Sequence, residues 1–138
     1  MKIRLDKHAT LLVGRVLVVM ILVMSGYDKL LHADRAADYL RSVGAPGAGT
    51  PLALFAGLVE LACGIAVLVG WRTRDVALGL FLYLLPVIWL THVAAAHAAP
   101  DPVVRVNETM QAMKTLAMAG ALLLLHVTGP GAHSVDGR

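Results

Sequence analysis

This 138-residue sequence is poor in charge, with only 15% of its residues Asp, Glu, Lys or Arg. A soluble domain carries about a quarter. A chain so poor in charge, and 58% hydrophobic, lacks the polar surface that keeps a globular enzyme in water. Aromatics are scarce as well, at 5%, so the apolar mass is chiefly Leu, Val and Ala. The one cysteine, Cys63, falls inside an apolar run. That excludes an intrachain disulfide and a thiolate zinc cage, and no CxxCH haem-attachment motif is present. Any redox group would have to be diffusible, bound through histidines or carried by a partner. The net charge is +3, but the basic residues are spread thinly between apolar blocks, which speaks against nucleic acid. They read as topology signals and internal counter-ions. GxGxxG, P-loop, HExxH and Ser/His/Asp patterns are missing in any supporting context, and no nucleophile stands out.

What is present is a set of long apolar runs, with a mean hydropathy of +0.73 over the chain. A membrane helix needs about 20 mostly apolar residues to cross a hydrocarbon core ~30 Å thick. Four segments meet that length: Ala9–Tyr27, Leu52–Gly70, Val76–Ala96 with Pro86 inside it, and Gln111–Thr128. The expected fold is all-α, a four-transmembrane-helix bundle with short loops, in a single domain over residues 1–138. The basic start Met1–His8 resembles that of a signal peptide. The run behind it contains Arg15 and ends in Ser25-Gly26-Tyr27 without a small-x-small cleavage pattern, which favours a retained helix.

The connections fit this layout. After the first span, Ala33–Val43 carries Ala36, Tyr39, Leu40 and Val43 at helical spacing and suits a short interfacial helix. A linker with Gly44, Pro46, Gly47 and Gly49 follows. Trp71-Arg72-Thr73-Arg74 makes a tight basic turn, Ala99–Glu108 with Pro100 and Pro102 reads as a loop, with an early entry into the last helix as the alternative, and Gly129-Pro130-Gly131 stops that helix before a short polar tail. Lys2, Arg4, Lys7, Arg72, Arg74 and Arg138 fall on one side, and Lys29, Arg35, Arg41 and Arg105 on the other. The positive-inside rule then predicts both termini cytoplasmic.

The informative residues are those a lipid-facing helix would not carry. Glu60 lies near the middle of the second segment, where a charge costs about 2.5–3.5 kcal/mol on insertion scales. It shares a helical face with Ala53, Ala56, Gly57, Cys63 and Gly64, all small. Such a face lets helices approach closely and places Glu60 between them. Lys29 ends the first helix, His92 lies late in the third, and Lys114 lies early in the fourth. Lys29, Glu60, His92 and Lys114 are expected to meet in the outer half of the bundle. Each has a purely structural alternative: buried ion pairs that fix packing, and a hydrogen-bonded histidine. Arg15 is expected to snorkel to the interface or to pair with Asp75. His92 and His97 are five apart, the wrong spacing for two ligands on one helix face, so metal binding is not expected. His126 reads as interfacial, and Met110, Met113 and Met118 as packing.

Several of these pieces, in this order, resemble the DoxX-like membrane proteins. Leu12-Val13-Gly14-Arg15 has the early glycine–arginine pair, and Ser25-Gly26-Tyr27-Asp28-Lys29-Leu30 is similar to the family's "SG…KL". Tyr39-Leu40 and the Gly/Pro linker follow, and the run Gly57 to Gly64 resembles its "xxELxxG" helix. Trp71-Arg72-Thr73-Arg74 is similar to its "G-x-x-TR" turn, and His92 to a late histidine of the third helix. Met113-Lys114-Thr115-Leu116-Ala117 resembles "KNLA", and Gly129-Pro130-Gly131 a terminal "GPG". Thr115 stands where the family usually has asparagine, and Trp71 where another apolar residue is usual. The resemblance implies a four-helix, multi-pass protein of the bacterial inner (cell) membrane. It also implies a link to quinone-dependent thiosulfate oxidation or to membrane-associated oxidoreductase complexes, without transferable catalytic residues.

The leading expectation is therefore a subunit of, or accessory to, a membrane oxidoreductase complex near the quinone pool, set in the lipid bilayer beside a redox protein partner. Lys29, His92 or Lys114 would donate hydrogen bonds to quinone carbonyl oxygens, and Glu60 would exchange protons. Whether the chain is itself an enzyme stays open at this stage. A non-enzymatic anchor or assembly subunit is the alternative. A small-molecule transporter fits less well, because only one helix is interrupted and no repeated half is visible.

Overall fold

The computed structural model describes residues 6–137. Lys2, Arg4 and Arg138, which enter the expected charge asymmetry, lie outside that range. Among the described residues there are five helices and no strand. Helix α1 spans Lys7–Leu31 and is capped by Asp6, whose carboxylate accepts from the Ala9 N–H at 2.8 Å. Helix α2, Ala33–Ser42, follows across a single break at His32. Helix α3, Thr50–Val69, opens with a proline in its first turn and stops at Gly70, whose φ of 79° is open to glycine without strain.

Helix α4, Thr73–Ala98, is interrupted. Pro86 removes a backbone donor, and the stretch just beyond it, Ile88–Val93, widens into a π segment. The face presented after Val93 is therefore offset from the face presented before Ile88. Helix α5, Pro102–Thr128, begins within the stretch expected to be a loop. Asp101 accepts from the Val103 N–H at 2.9 Å and Pro102 takes the first helical position, where its missing N–H costs nothing. The polar residues Arg105, Asn107 and Glu108 lower the hydropathy there but do not oppose a helix. Helices α1, α3, α4 and α5 are all long and apolar enough to cross a membrane. Their outward faces carry Val13, Leu58, Trp89 and Leu124, each at least 57% exposed.

The helices are arranged as two close pairs. In the first, α1 lies against α3 through small residues. A Cβ added to Gly26 would stand 2.5 Å from the Leu61 backbone nitrogen, one on Gly57 would stand 2.9 Å from the Lys29 Cβ, and one on Gly64 would stand 2.9 Å from Val23. In the second, α4 lies against α5. The pairs join through a core of Val19, Leu22, Val67, Leu80, Leu84 and Leu122, with Ala77, Ala119 and Leu125 completing it. These positions are near the α3–α4 turn, so the pairs are welded there and diverge toward α2.

The welded end also holds the tail. Arg15 neither snorkels nor pairs with Asp75, contrary to both sequence expectations. It is 2% exposed and donates to the Pro130 carbonyl at 2.9 Å and the His133 carbonyl at 2.7 Å. Asp75 bonds Arg72 instead, at 2.9 Å. The reason is the chain reversal at Gly129-Pro130-Gly131, which brings backbone carbonyls over the end of α1. The tail then pairs with the α3–α4 turn: Val135 N–H donates to Val69 O at 3.1 Å and Asp136 N–H to Gly70 O at 2.9 Å. The Asp136 carboxylate accepts from the Thr73 and Arg72 N–H groups, both at 2.8 Å. Those backbone donors, Thr73 first, hold its carboxyl below the usual range.

Candidate functional site

Between the diverging pairs lies a cavity of about 730 Å³, within the span of small-molecule sites. Its walls are mostly apolar, from Leu22, Leu52, Phe55, Leu84, Val87 and Met118. Two polar clusters interrupt them.

The first is centred on Glu60, 4% exposed. Its Oε2 accepts from Lys29 Nζ at 2.6 Å, and its Oε1 accepts from the Tyr83 hydroxyl at 3.2 Å. Lys29 also donates to Ser25 Oγ at 2.5 Å. The geometry follows from the small face of α3. With glycine at 26 and 57 the α1 and α3 backbones approach until the terminal lysine of α1 reaches across to Glu60. A buried carboxylate with one ammonium and one phenol donor is compensated enough to stay in an apolar wall. Ser25, Lys29, Glu60 and Tyr83 all line the cavity.

The second cluster lies toward α2. His92 Nδ1 stands 2.9 Å from Glu108 Oε2, and the Tyr39 hydroxyl donates to that oxygen at 3.2 Å while lying 3.3 Å from His92 Nδ1. It links α2, the π segment of α4 and the early part of α5. Partial burial, and then the charge of Glu108, push the Tyr39 phenol above its ordinary range, so it remains a donor. Tyr39 and His92 line the cavity.

Of the four residues singled out in the sequence, Lys29, Glu60 and His92 therefore share one cavity. Lys114 does not line it. It donates to Gln111 Oε1 at 3.2 Å and lines a smaller adjoining hollow of about 400 Å³ between α1 and α5. Sequence reasoning did not single out Ser25, Tyr39, Tyr83 or Glu108 as site residues. Tyr83 carried a usable signal, since a phenol in an aliphatic span needs a polar partner. Glu108 was hidden by the loop assignment.

The comparisons with known proteins bear on this arrangement. The model of the DoxX family matches residues 10–93. The chain belongs to the DoxX family. Two curated relatives extend the similarity through the last helix. Inner membrane protein YqjF of Escherichia coli is 34% identical over 125 residues, covering 91% of this chain and 88% of the relative. Inner membrane protein YphA of the same organism is 31% identical over 134 residues, covering 93% and 89%. No solved structure matches the chain. The DoxX match takes in Ser25, Lys29, Glu60, Tyr83 and His92, and ends before Glu108 and Lys114.

Proposed function

We propose that this DoxX-family protein is an inner-membrane subunit or accessory of a membrane oxidoreductase complex, and that its cavity takes the headgroup of a lipid-soluble molecule of the quinone class. The observation that carries this reading is the Glu60 cluster: an ammonium, a carboxylate and a phenol set into the wall of an otherwise apolar cavity. A quinone is apolar except for two carbonyl oxygens, which need donors. Lys29 and Tyr83 supply donors, and Glu60 can hold or deliver a proton as the bound oxygen gains or loses charge. The electrons come from a redox protein partner. With both termini cytoplasmic, the Tyr39–His92–Glu108 cluster lies on the periplasmic side of the headgroup.

The test is purification in mild detergent, with chromatography of the extracted lipid and mass spectrometry of co-purifying proteins. The expected result is near-stoichiometric quinone, or a saturable quinone titration, together with a redox subunit. Absence of quinone by both assays would overturn the quinone assignment.

A second reading is a non-enzymatic anchor in which the charges only set helix packing. The direct Lys29–Glu60 bridge between α1 and α3 favours it. Replacing both partners by apolar residues separates the two, since a packing role predicts an unchanged assembly with unchanged ligand behaviour.

A further inference from the structure

The hollow beside Lys114 adjoins the main cavity: Ile21, Gln111, Thr115 and Met118 line both. It lies where α1 and α5 scarcely touch, and no hydrogen bond among the described residues ties these two helices together. On the opposite flank α3 and α4 are tied by Tyr83 and Glu60. The floor of the hollow is apolar, with Leu17 and Met20 reaching outward at 62% and 51% exposure. One edge carries Lys114, whose ammonium has a neutral partner, Gln111, and no carboxylate within ion-pair distance among the described residues.

We infer that the gap between α1 and α5 is a lateral portal, through which the lipid-tailed ligand of the cavity enters from the bilayer and in which its tail remains. This rests on the reading of the cavity as a site for a polar-headed, lipid-soluble molecule. The charge pattern fits the passage. An electronegative head crossing an apolar gap meets one uncompensated cation at the threshold, and the apolar tail that follows covers the floor. Gln111 and Thr115 supply neutral polar atoms at the junction with the main cavity.

A tryptophan at the throat tests it. In a protein whose own Trp71 and Trp89 are replaced by Phe, Met118→Trp is reconstituted in vesicles of phosphatidylcholine with brominated acyl chains. Leu124→Trp, on a face 69% exposed, gives the reference for full lipid contact. The portal predicts quenching at Met118→Trp comparable with that reference, and its loss when Thr115→Phe fills the throat. A Met118→Trp signal that brominated chains leave untouched overturns the portal. Met118 packs on the core, so Thr115→Trp provides the same measurement from a half-buried position lining both spaces if the first variant does not fold. The probe is phospholipid, not quinone, so the two proposals fail separately. A sealed throat in a quinone-binding protein removes only the portal. Acyl chains quenching the throat of a protein without quinone affinity keep the portal and remove the quinone assignment.

Discussion

The charged residues that dock the tail of this bundle and those that line its cavity find their partners in opposite ways. At the tail end, Arg15 and Asp136 bond almost wholly to backbone: two carbonyls for the guanidinium, two N–H groups for the carboxylate. At the cavity end, side chains satisfy one another, Glu60 with Lys29 and Tyr83, and Glu108 with His92 and Tyr39. Backbone partners cannot change protonation or swing away, so the first arrangement locks a shape. Side-chain partners can do both, so the second can exchange a ligand's oxygen or a proton for a present contact. The core follows the same division, close-packed near the α3–α4 turn and parted by a cavity beyond it.

The comparison breaks most severely where the helices that carry the site touch. Gly26→Leu places a side chain against the backbone of α3, with Leu61 N 2.5 Å and Gly57 O 2.7 Å from the new Cβ. Backbone cannot yield as a side chain can. The cost should reach or exceed about 3 kcal/mol, the upper end of ordinary overpacking. Thermal unfolding in detergent should show that loss, and the Lys29–Glu60 bridge should be lost with it.

Next in size is Arg15→Met, which removes the donor from the Pro130 and His133 carbonyls. Hydrogen bonds to charged groups contribute about 1.5–3 kcal/mol, so the tail should detach and become open to limited proteolysis. Ligand binding at the cavity end should change little. A large loss there would show that the ends are coupled, against the division drawn above.

The smallest effect is expected at Asp136. Its carboxyl is held below the ordinary 3.8 by N–H donors in the fold, so the carboxylate favours the docked tail. That contribution is complete above the ordinary value and is lost as pH falls through the lower, folded one. Tail amides should therefore exchange faster with solvent only in strongly acidic buffer. Asp136→Asn should show part of that increase at neutral pH.

Much of the bundle was legible because hydropathy reports membrane helices directly. The small face around Glu60 also correctly marked where α3 packs. Features set by long-range geometry were harder to read. Nothing local to Arg15 indicates a tail returning from Pro130. Helix α5 begins early because Asp101-Pro102 is a strong start signal, which the low hydropathy of the following turn outweighed in the sequence reading. Helix rotation decided the rest. It brought Lys29, Glu60 and His92 to one cavity and turned Lys114 toward its neighbour, and the π segment after Pro86 breaks the simple period on which such a rotation would be judged.

The central claim is that the Lys29–Glu60 pair serves a ligand rather than only the packing of α1 on α3. The most direct measurement is a quinone titration of the Lys29→Met/Glu60→Met double variant, alongside its thermal unfolding. Because paired removal leaves no orphaned charge, stability should stay near that of the unaltered protein. Quinone affinity should fall by about tenfold or more, some 1.4 kcal/mol. A double variant that is equally stable and binds quinone unchanged would contradict the account and leave the pair as a packing element.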